Sequence, residues 1–450
     1  MKKAAHTKKG TSILSCIMVI SLLMCSLYYL TKILEEKSSA MKYHDFFSQK
    51  EDFDVLFLGT SRVINGIFPM ELWKDYGIVS YNLGGHQNEL ATSYWVMENA
   101  LNHTTPEVVV VDCFCLSSNI KTSENFSFVH LSLDAFPLNL TKISAAKDLL
   151  NDPVIEERIA AGTIQGRGTE DRSIWGILWN FSVYHSRWNE LRQVDFDLTG
   201  SLEKGAETRI GIEIPLTPDQ VQSDEILQEN TVGAEYIRKI IESCDSKGID
   251  VLLIYLPSPT PYSTQIQEAS AAQKIAEEYG VNYINFMESD TINYNTDCYD
   301  STTHLNPSGA RKVTDYLGQY IMDHYSVADQ RTNSDYSEWQ EDYQQYAEFK
   351  LSNLKNQQSL DDYLMLLADK NFKAVIEINN PDIWNSNYYC HLFENLGIDR
   401  GNSHSISVNS DSGSDLKITV FDKDTNTVLD SVTFQFEIID DKVFIENVER

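Results

Sequence analysis

The chain has 450 residues, 42% of them hydrophobic, which is enough for two or three folded units with a sizeable core. Its 66 acidic residues outnumber 36 Lys and Arg, and the formal net charge of −30 argues against nucleic acid or an anionic membrane surface as a ligand of the folded part. The seven cysteines are scattered, and no second pair accompanies Cys113 and Cys115. The sequence therefore predicts neither a disulfide framework nor a metal site.

The first element along the chain is an uncharged run from Gly10 to Thr31. Its 22 residues would form a helix that crosses roughly 30 Å of hydrocarbon. Four lysines precede the run, and the positive-inside rule then leaves the amino terminus in the cytoplasm. A cleaved signal peptide is the alternative, but the run is longer than a signal core and Glu35-Glu36-Lys37 follows it. We expect residues 1–40 to be a cytoplasmic tip and a single-pass membrane anchor, with the bulk of the chain outside the cytoplasm.

Residues 50–326 alternate short apolar runs with helical stretches. Four consecutive valines between Glu107 and Asp112 indicate a strand that is buried on both faces. The predicted strands cover residues 53–58, 78–82, 107–113, 250–255 and 281–286. The helices between and after them cover residues 88–102, 230–248, 265–279 and 307–325. This alternation predicts an α/β domain with a doubly wound parallel sheet.

The alternation stops between about residues 120 and 225, which predicts an insertion within this domain. The insertion contains helical pieces and an aromatic-rich segment from Trp175 to Trp188. One interpretation is a lid or a substrate-recognition cap, because insertions between sheet elements often overhang the active edge. The other interpretation is that these aromatic side chains only form a small core.

A polar, acidic stretch at residues 327–356 predicts a linker or an exposed helix. Residues 357–450 then predict a small α/β accessory domain, with a hairpin turn at Asp424-Thr425-Asn426. Its predicted helices cover residues 359–370 and 385–396. Its predicted strands cover residues 372–378, 405–408, 416–421, 428–434 and 442–448.

Two short motifs carry the residues that chemistry could use. Ser61 ends the first predicted strand in Gly59-Thr60-Ser61-Arg62, and His304 lies in a late loop within residues 300–306. A serine at the carboxyl edge of a parallel sheet is exposed, and a histidine on a late loop can act as its general base. A carboxylate would fix the imidazole tautomer, and Asp300 stands four residues before His304.

These motifs, in this order and context, resemble the SGNH (GDSL-type) hydrolase superfamily over residues 50–326 without the insertion. The resemblance implies that Ser61 is the nucleophile and His304 the base. The family places its Asp three residues before the His, where this chain has Ser301. Asp300 with a one-residue bulge, Asp297, and a Ser-His dyad therefore stay open as alternatives.

The segment from Tyr81 to Gln87 resembles the second block of the family, which supplies an oxyanion-hole amide. The resemblance implies that Gly84 or Gly85 donates its amide together with the amide of Ser61, although the usual later glycine falls near Gln87. The third block, Gly-x-Asn, is absent after the third strand, and Asn119 is one replacement.

The oxyanion and substrate-binding residues expected from this resemblance are Gly84, Gly85 and Arg62. Arg62 could instead be a structural hydrogen-bond donor. His86 could be a second histidine of the site or simply a turn residue.

The anchor together with Gly-Thr-Ser-Arg and Tyr-Asn-Leu-Gly resembles a branch of this superfamily on bacterial surfaces. Its members act with a multi-pass membrane O-acyltransferase on the acyl groups of secreted polysaccharides. The resemblance implies a serine esterase or O-acyl(acetyl)transferase that acts on an acylated cell-surface glycan, with no cofactor and no metal. The alternative is an inactive SGNH-like scaffold or glycan-binding protein. The residues after Ser359 resemble an interleukin-like (ILEI-type) domain, which implies a binding or accessory role.

Overall fold

A computed structural model describes residues 2–35, 37–164, 172–196, 200–213, 230–258, 263–398, 414–439 and 442–450. The first helix, α1 (Lys2–Leu34), contains a 22-residue apolar stretch, Ile13–Leu34, that is long and apolar enough to cross a membrane. A second helix, α2 (Lys37–Ser48), follows it and packs on the folded part of the chain.

The remaining elements fall into an α/β part and a carboxy-terminal part. The strands are β1 (Val55–Leu58), β2 (Ser80–Asn82), β3 (Val108–Asp112), β4 (Asp250–Tyr255), β5 (Asn282–Asn285), β6 (Phe372–Ile378), β7 (Leu416–Asp422), β8 (Val428–Ile439) and β9 (Lys442–Glu449). The helices are α3 (Ser61–Gly66), α4 (Pro69–Tyr76), α5 (Leu90–Ala100), α6 (Ser127–Leu133), α7 (Leu140–Leu150), α8 (Pro153–Ala160), α9 (Ile174–Leu178), α10 (Phe181–Tyr184), α11 (Val232–Asp245), α12 (Ser263–Tyr279), α13 (Pro307–His324), α14 (Ser337–Lys355), α15 (Leu360–Leu367) and α16 (Asn387–Asn395).

Strands β1 to β5 form one parallel sheet in the order β2-β1-β3-β4-β5, as the alternating pattern predicts. Successive residues of β1 face opposite sides of this sheet: Val55 and Phe57 pack in one core, and Leu56 and Leu58 pack in the other. Helices α3, α4 and α13 cover the first side, and α5, α11 and α12 cover the second. The prediction of a parallel sheet with helices on both faces is confirmed. Because β1 lies between β2 and β3, the strand order reverses there and leaves a crevice at its carboxyl end.

The insertion is helical where the structure describes it. It contains α6 to α10 and two short 3-10 turns, His185–Asn189 and Gln193–Phe196. The helical pieces expected between residues 120 and 225 are therefore confirmed for the described ranges, which leave out residues 165–171, 197–199 and 214–225. Helix α10 and the two 3-10 turns contact α1.

The segment predicted as a linker or exposed helix, residues 327–356, contains α14, and this helix is far from fully exposed. Trp339 and Tyr346 pack in the core of the parallel-sheet part, whereas Leu354 packs in the carboxy-terminal core. Lys350, between them, is also buried. One helix thus shares its side chains between two cores.

The carboxy-terminal part is built on a four-stranded antiparallel sheet in the order β6-β7-β8-β9. Helices α15 and α16 pack their apolar side chains with those of the sheet in a separate core. The predicted hairpin joins β7 to β8, and Asn426 adopts a positive φ of 55° in its turn. The predicted strand at residues 405–408 lies outside the described residues.

Candidate active site

Ser61 lies at the carboxyl edge of the parallel sheet, as its position after β1 predicts. It is the first residue of α3, and Thr60 caps this helix by accepting a hydrogen bond from the Arg62 amide at 3.2 Å. The turn needs glycine at position 59, because its φ is +149° and an added Cβ would lie 2.6 Å from a methyl carbon of Val63. The serine hydroxyl therefore stands in the crevice where the strand order reverses.

His304 meets Ser61 across this crevice. The Ser61 Oγ lies 2.8 Å from the His304 Nε2, although 243 residues separate them in the chain. The loop that carries His304 is fixed by Asn306, which caps α13 by accepting hydrogen bonds from the amides of Ser308 and Gly309. The distance permits direct proton transfer between hydroxyl and imidazole.

Asp300 contacts the other ring nitrogen of this histidine. One oxygen, Oδ2, is hydrogen-bonded to the His304 Nδ1. The other, Oδ1, accepts hydrogen bonds from the amides of Thr302, Thr303 and His304 at 3.0, 2.7 and 3.1 Å. The carboxylate thus folds the loop around itself, and this turn accommodates Ser301 as the extra residue.

Electrostatics keep Asp300 ionised. Partial burial acts to raise the pKa of its carboxyl, but the hydrogen bonds from the His304 ring and from the three backbone amides outweigh it. The pKa of Asp300 therefore lies well below its usual range. An ionised carboxylate at Nδ1 fixes the tautomer in which Nε2 can accept a proton from Ser61.

Asp297, the alternative carboxylate, lies elsewhere. It is fully buried, and its oxygens accept hydrogen bonds from the Lys312 ammonium at 2.7 Å, the Asn293 amide at 2.7 Å and the Ser308 hydroxyl at 2.8 Å. These partners place it beneath the first turn of α13. Of the two aspartates left open by the sequence, the structure brings Asp300 to the imidazole.

The amides of Gly84 and Gly85 both have partners within the protein, contrary to their expected role in the oxyanion hole. Gly84 donates to the side-chain oxygen of Asn82 at 3.1 Å, and Gly85 donates to the carbonyl of Gly59 at 2.9 Å. These bonds tie the loop after β2 to the turn before Ser61. An amide that is already bonded in this way is not available to a substrate oxygen, so these two glycines position the loop.

Gln87, the last residue of the segment that begins at Tyr81, also belongs to the lining of the site. It lines the cavity beside Ser61 and has a positive φ of 49°, a backbone conformation that favours glycine. The sequence signal was the later glycine of the second block, which falls near this residue. Ser61 is the first residue of α3, and the first amide of a helix has no intrahelical acceptor.

A cavity of about 370 Å³ opens in front of the serine. Its lining includes Cys115 and several residues for which the sequence predicts no role: Glu89, Phe114, Ile120, Ser123, Glu124 and Thr303. Burial raises the pKa of Glu89 to about 7, so its carboxyl is partly protonated near neutral pH and can donate a hydrogen bond. Asn119, the sequence-based replacement for the third block, is exposed and does not line this cavity.

Arg62 has buried protein partners. Its guanidinium donates to the carbonyls of Leu256 and Pro257, packs over the rings of Phe114 and Tyr255, and lies 3.8 Å from Asp112. Only 3% of the residue is exposed. These contacts favour the structural role over the binding of an anionic substrate group, because they fix the end of β4 against α3.

His86 and the neighbouring Lys42 belong to a polar cluster behind the loop. The Nε2 of His86 lies 3.4 Å from Glu207, a residue within the insertion. Lys42, on α2, donates to the carbonyl of Gly84 and, at 3.3 Å, to that of Gly205. The helix that follows the anchor therefore contacts the loop of the site.

Comparisons with known proteins add little to this geometry. No protein-family model matches the chain, and no curated protein matches it. A solved crystal structure from Bacteroides fragilis, named as a candidate acylhydrolase, has a TM-score of 0.32 and 11% identity with this chain. The match covers 64% of this chain and 99% of that one. A similarity at this level does not establish a shared fold.

Proposed function

We propose that the chain is a membrane-anchored serine esterase or O-acyltransferase that acts outside the cytoplasm on acyl esters of a cell-surface glycan. One observation carries the proposal: the Ser61 hydroxyl is 2.8 Å from the His304 Nε2, and Asp300 is hydrogen-bonded to the opposite ring nitrogen. A serine hydroxyl is a weak nucleophile without such a base, and the three groups together have the geometry of acyl transfer.

The reaction then proceeds in two steps. His304 takes the proton of Ser61 while the Oγ attacks the ester carbonyl. The backbone N–H groups of Ser61 and Gln87 donate hydrogen bonds to the carbonyl oxygen and stabilise its negative charge. His304 returns the proton to the leaving alcohol, which leaves an acyl group on Ser61. In the second step His304 takes a proton from water or from a sugar hydroxyl while that oxygen attacks the acyl-enzyme carbonyl. The bond between the acyl group and the Ser61 Oγ then breaks, and His304 returns the proton to this Oγ. Water gives hydrolysis, and a sugar hydroxyl gives transfer.

The anchor supports the location outside the cytoplasm. The apolar stretch Ile13–Leu34 follows a segment with four lysines, and the positive-inside rule orients such a helix with its amino terminus in the cytoplasm. The folded part would then face the cell surface. An acylated surface glycan is the substrate that this location offers, and a multi-pass membrane O-acyltransferase is the partner that would supply or share its acyl groups.

A fluorophosphonate probe tests the enzyme proposal directly. Such a probe forms a covalent bond only with a serine that has an active base, so the wild-type chain should be labelled and Ser61→Ala and His304→Ala should not. Ser270→Ala is the matched control, because Ser270 lies exposed on α12 and donates only to the Ile266 carbonyl. Labelling that persists in Ser61→Ala would refute the assignment.

A second candidate function is an inactive glycan-binding scaffold that partners a membrane O-acyltransferase. It is favoured by the engagement of both loop glycine amides and by the missing third block. This hypothesis predicts that the fluorophosphonate probe does not label the wild-type chain and that Ser61→Ala leaves glycan binding unchanged.

A further inference from the structure

The insertion exposes large apolar side chains beside the anchor helix. Those with more than half of their surface exposed include Leu138, Trp175, Trp179, Trp188 and Phe196. We refer to these five residues as the outer apolar surface. Large apolar side chains exposed together mark an interaction site, and tryptophan in particular combines an apolar ring with a polar N–H group.

The anchor helix indicates how deep the outer apolar surface lies relative to the membrane. A cavity of about 680 Å³ lies between them, lined by Met24 and Leu27 on the anchor and by Leu138 and Trp179 on the insertion. The stretch Ile13–Leu34 is roughly 33 Å long at 1.5 Å per residue, close to the roughly 30 Å thickness of the hydrocarbon layer. Met24 lies roughly 15 Å before the end of this stretch. The lining continues from Met24 and Leu27 through Thr31 and Lys32 to Glu35, so the side chains of the insertion around this cavity lie along the half of the stretch that ends at Leu34.

Polar contacts hold the insertion in this position. Arg187 donates to the carbonyl of Leu34 and lies 3.2 Å from Asp195, and the Asn180 amide group donates to Glu35. These bonds connect the last turn of the anchor to the two 3-10 turns and to α10. The insertion and the anchor are thus joined by directional bonds at the point where the helix would leave the membrane.

The outer apolar surface follows from the same local geometry. Trp175 and Trp179 are four residues apart around α9, so they share one side of it. Trp188 and Phe196 belong to the two 3-10 turns that contact α1. Trp179 and Trp188 therefore lie beside the anchor, and Trp175 lies one helical turn before Trp179.

We propose that the outer apolar surface lies in the interfacial layer of the lipid bilayer, around the point where the anchor leaves it. Tryptophan is enriched at this layer because its ring is apolar and its N–H group can reach water or headgroups. The inference rests on the membrane anchoring proposed above. Helix α2 begins directly after the anchor and carries Lys42 to the carbonyl of Gly84. A domain seated in this way holds the loop of the site close to the membrane surface, where a membrane-bound acyl donor would reach it.

Tryptophan fluorescence in brominated vesicles tests the proposal. The full chain would be reconstituted in phosphatidylcholine vesicles whose lipids carry bromine either near the headgroup or near the chain end. The wild-type chain should be quenched more strongly by bromine near the headgroup. The variant Trp175→Phe/Trp179→Phe/Trp188→Phe should lose at least about half of this quenching, because it removes three of the seven tryptophans and these are the ones at the interface.

Trp384→Phe is the matched control, because Trp384 packs on Phe393 in the carboxy-terminal part and should not contribute to quenching. Equal quenching of the triple variant and the control would overturn the proposal and leave the outer apolar surface to a protein partner. Flotation of the vesicles tests membrane anchoring separately from the location of the outer apolar surface. A chain that does not float with vesicles would contradict the anchoring itself. A chain that floats but shows no interfacial quenching would be anchored without placing the outer apolar surface in the interfacial layer.

Discussion

Lys42 donates a hydrogen bond to the carbonyl of Gly84, which joins the helix after the anchor to the loop behind Ser61. Only 4% of Lys42 is exposed, and its second acceptor is the carbonyl of Gly205 at 3.3 Å. Tyr43 adds hydrogen bonds from its hydroxyl to the carbonyls of Leu83 and Gly84 at 3.2 and 3.3 Å. The position of the loop therefore depends on α2 as well as on the sheet.

The burial of Lys42 predicts a pH-dependent stability. Burial lowers the pKa of this lysine to about 7, whereas the unfolded chain keeps the ordinary value of 10.5. Between these pH values the unfolded state binds more protons, so the free energy of unfolding of the wild type rises with pH by at most about 1.4 kcal/mol per unit. Lys42→Met lacks this gain. We expect the free energy of unfolding of the wild type, relative to that of Lys42→Met, to be larger at about pH 9 than at about pH 7. Denaturant unfolding in detergent at the two pH values measures this difference.

The control for this experiment is Lys239→Met, because Lys239 is partly exposed on α11, where it pairs with Glu235 one turn away and lies over the Tyr236 ring. Its difference from the wild type should stay constant with pH. A constant difference for Lys42→Met as well would show that the buried amine keeps its proton in the folded state.

The central prediction concerns the unit formed by Ser61 and His304. Each single change, Ser61→Ala or His304→Ala, should lower turnover of p-nitrophenyl acetate by roughly four to six orders of magnitude, and the double change should cost little more. Nucleophile and base act in one step, so the reaction no longer follows this route once either side chain is removed, and removal of the second adds little. Steady-state kinetics of the three variants checks this, and additive losses would contradict it.

Asp300→Ala should lower turnover less than either of those changes. Asn306 would still hold the end of the loop at the start of α13, and the Thr303 hydroxyl, 3.0 Å from the His304 Nδ1, would remain as an acceptor for the ring N–H group. Asp297 cannot take over, because Lys312 and Ser308 hold it beneath α13. A loss as large as that of His304→Ala would show that the carboxylate itself is indispensable.

Much of this site was predictable, because strand ends and loop order follow from periodicity. The runs that end before Ser61 and the late loop of His304 need only the alternation of apolar strands and helices. The partners of the Gly84 and Gly85 amides were not predictable, since Gly59 and Asn82 meet this loop only in the tertiary fold. The same applies to Asp300, whose distance from His304 depends on a turn built by its own side chain.

Helix α14 shows a different reason for a missed feature. Its overall composition is polar, which favoured a linker or an exposed helix. Trp339, Tyr346, Lys350 and Leu354 nevertheless recur at spacings of seven and four residues, which places them on one side of a helix. The lysine within this stripe obscured it, because a buried lysine needs partners that only the fold supplies.

Gln87 predicts how the loop responds to substitution. Gln87→Gly should keep turnover within a few-fold of the wild type and change stability by less than about 1 kcal/mol, because glycine accepts the φ of 49° readily. Gln87→Val should lower both, since a β-branched residue is strained there and would displace the amide. Kinetics and thermal unfolding of the two variants check this. A loss of turnover in Gln87→Gly as large as that in Ser61→Ala would assign the role to the side chain and not to the amide.

A buried charge network between the two cores carries the last prediction. The Lys350 ammonium lies 2.7 Å from Glu71 and 2.9 Å from Asp369, and Arg311 lies 3.4 Å from Asp369. All four residues are largely buried. Glu71 and Arg311 belong to the parallel-sheet part, Asp369 follows α15, and Lys350 on α14 joins them.

Asp369→Asn should destabilise the chain by roughly 3–5 kcal/mol, because it leaves two buried cations with one anion. Burial acts to raise the pKa of Asp369, but Arg311 and Lys350 outweigh it and hold the pKa well below the usual value of 3.8. A depressed folded-state pKa gives stability that is present above the unfolded value and is lost as the pH falls toward the folded value. The difference in the free energy of unfolding between wild type and Asp369→Asn should thus have its full value near neutral pH and shrink below about pH 4. Denaturant unfolding measures it.

Asp315→Asn is the control, since its pair with the half-exposed Lys370 should contribute at most about 1 kcal/mol. Equal, small effects of the two changes would mean that the two cores are stable without this network.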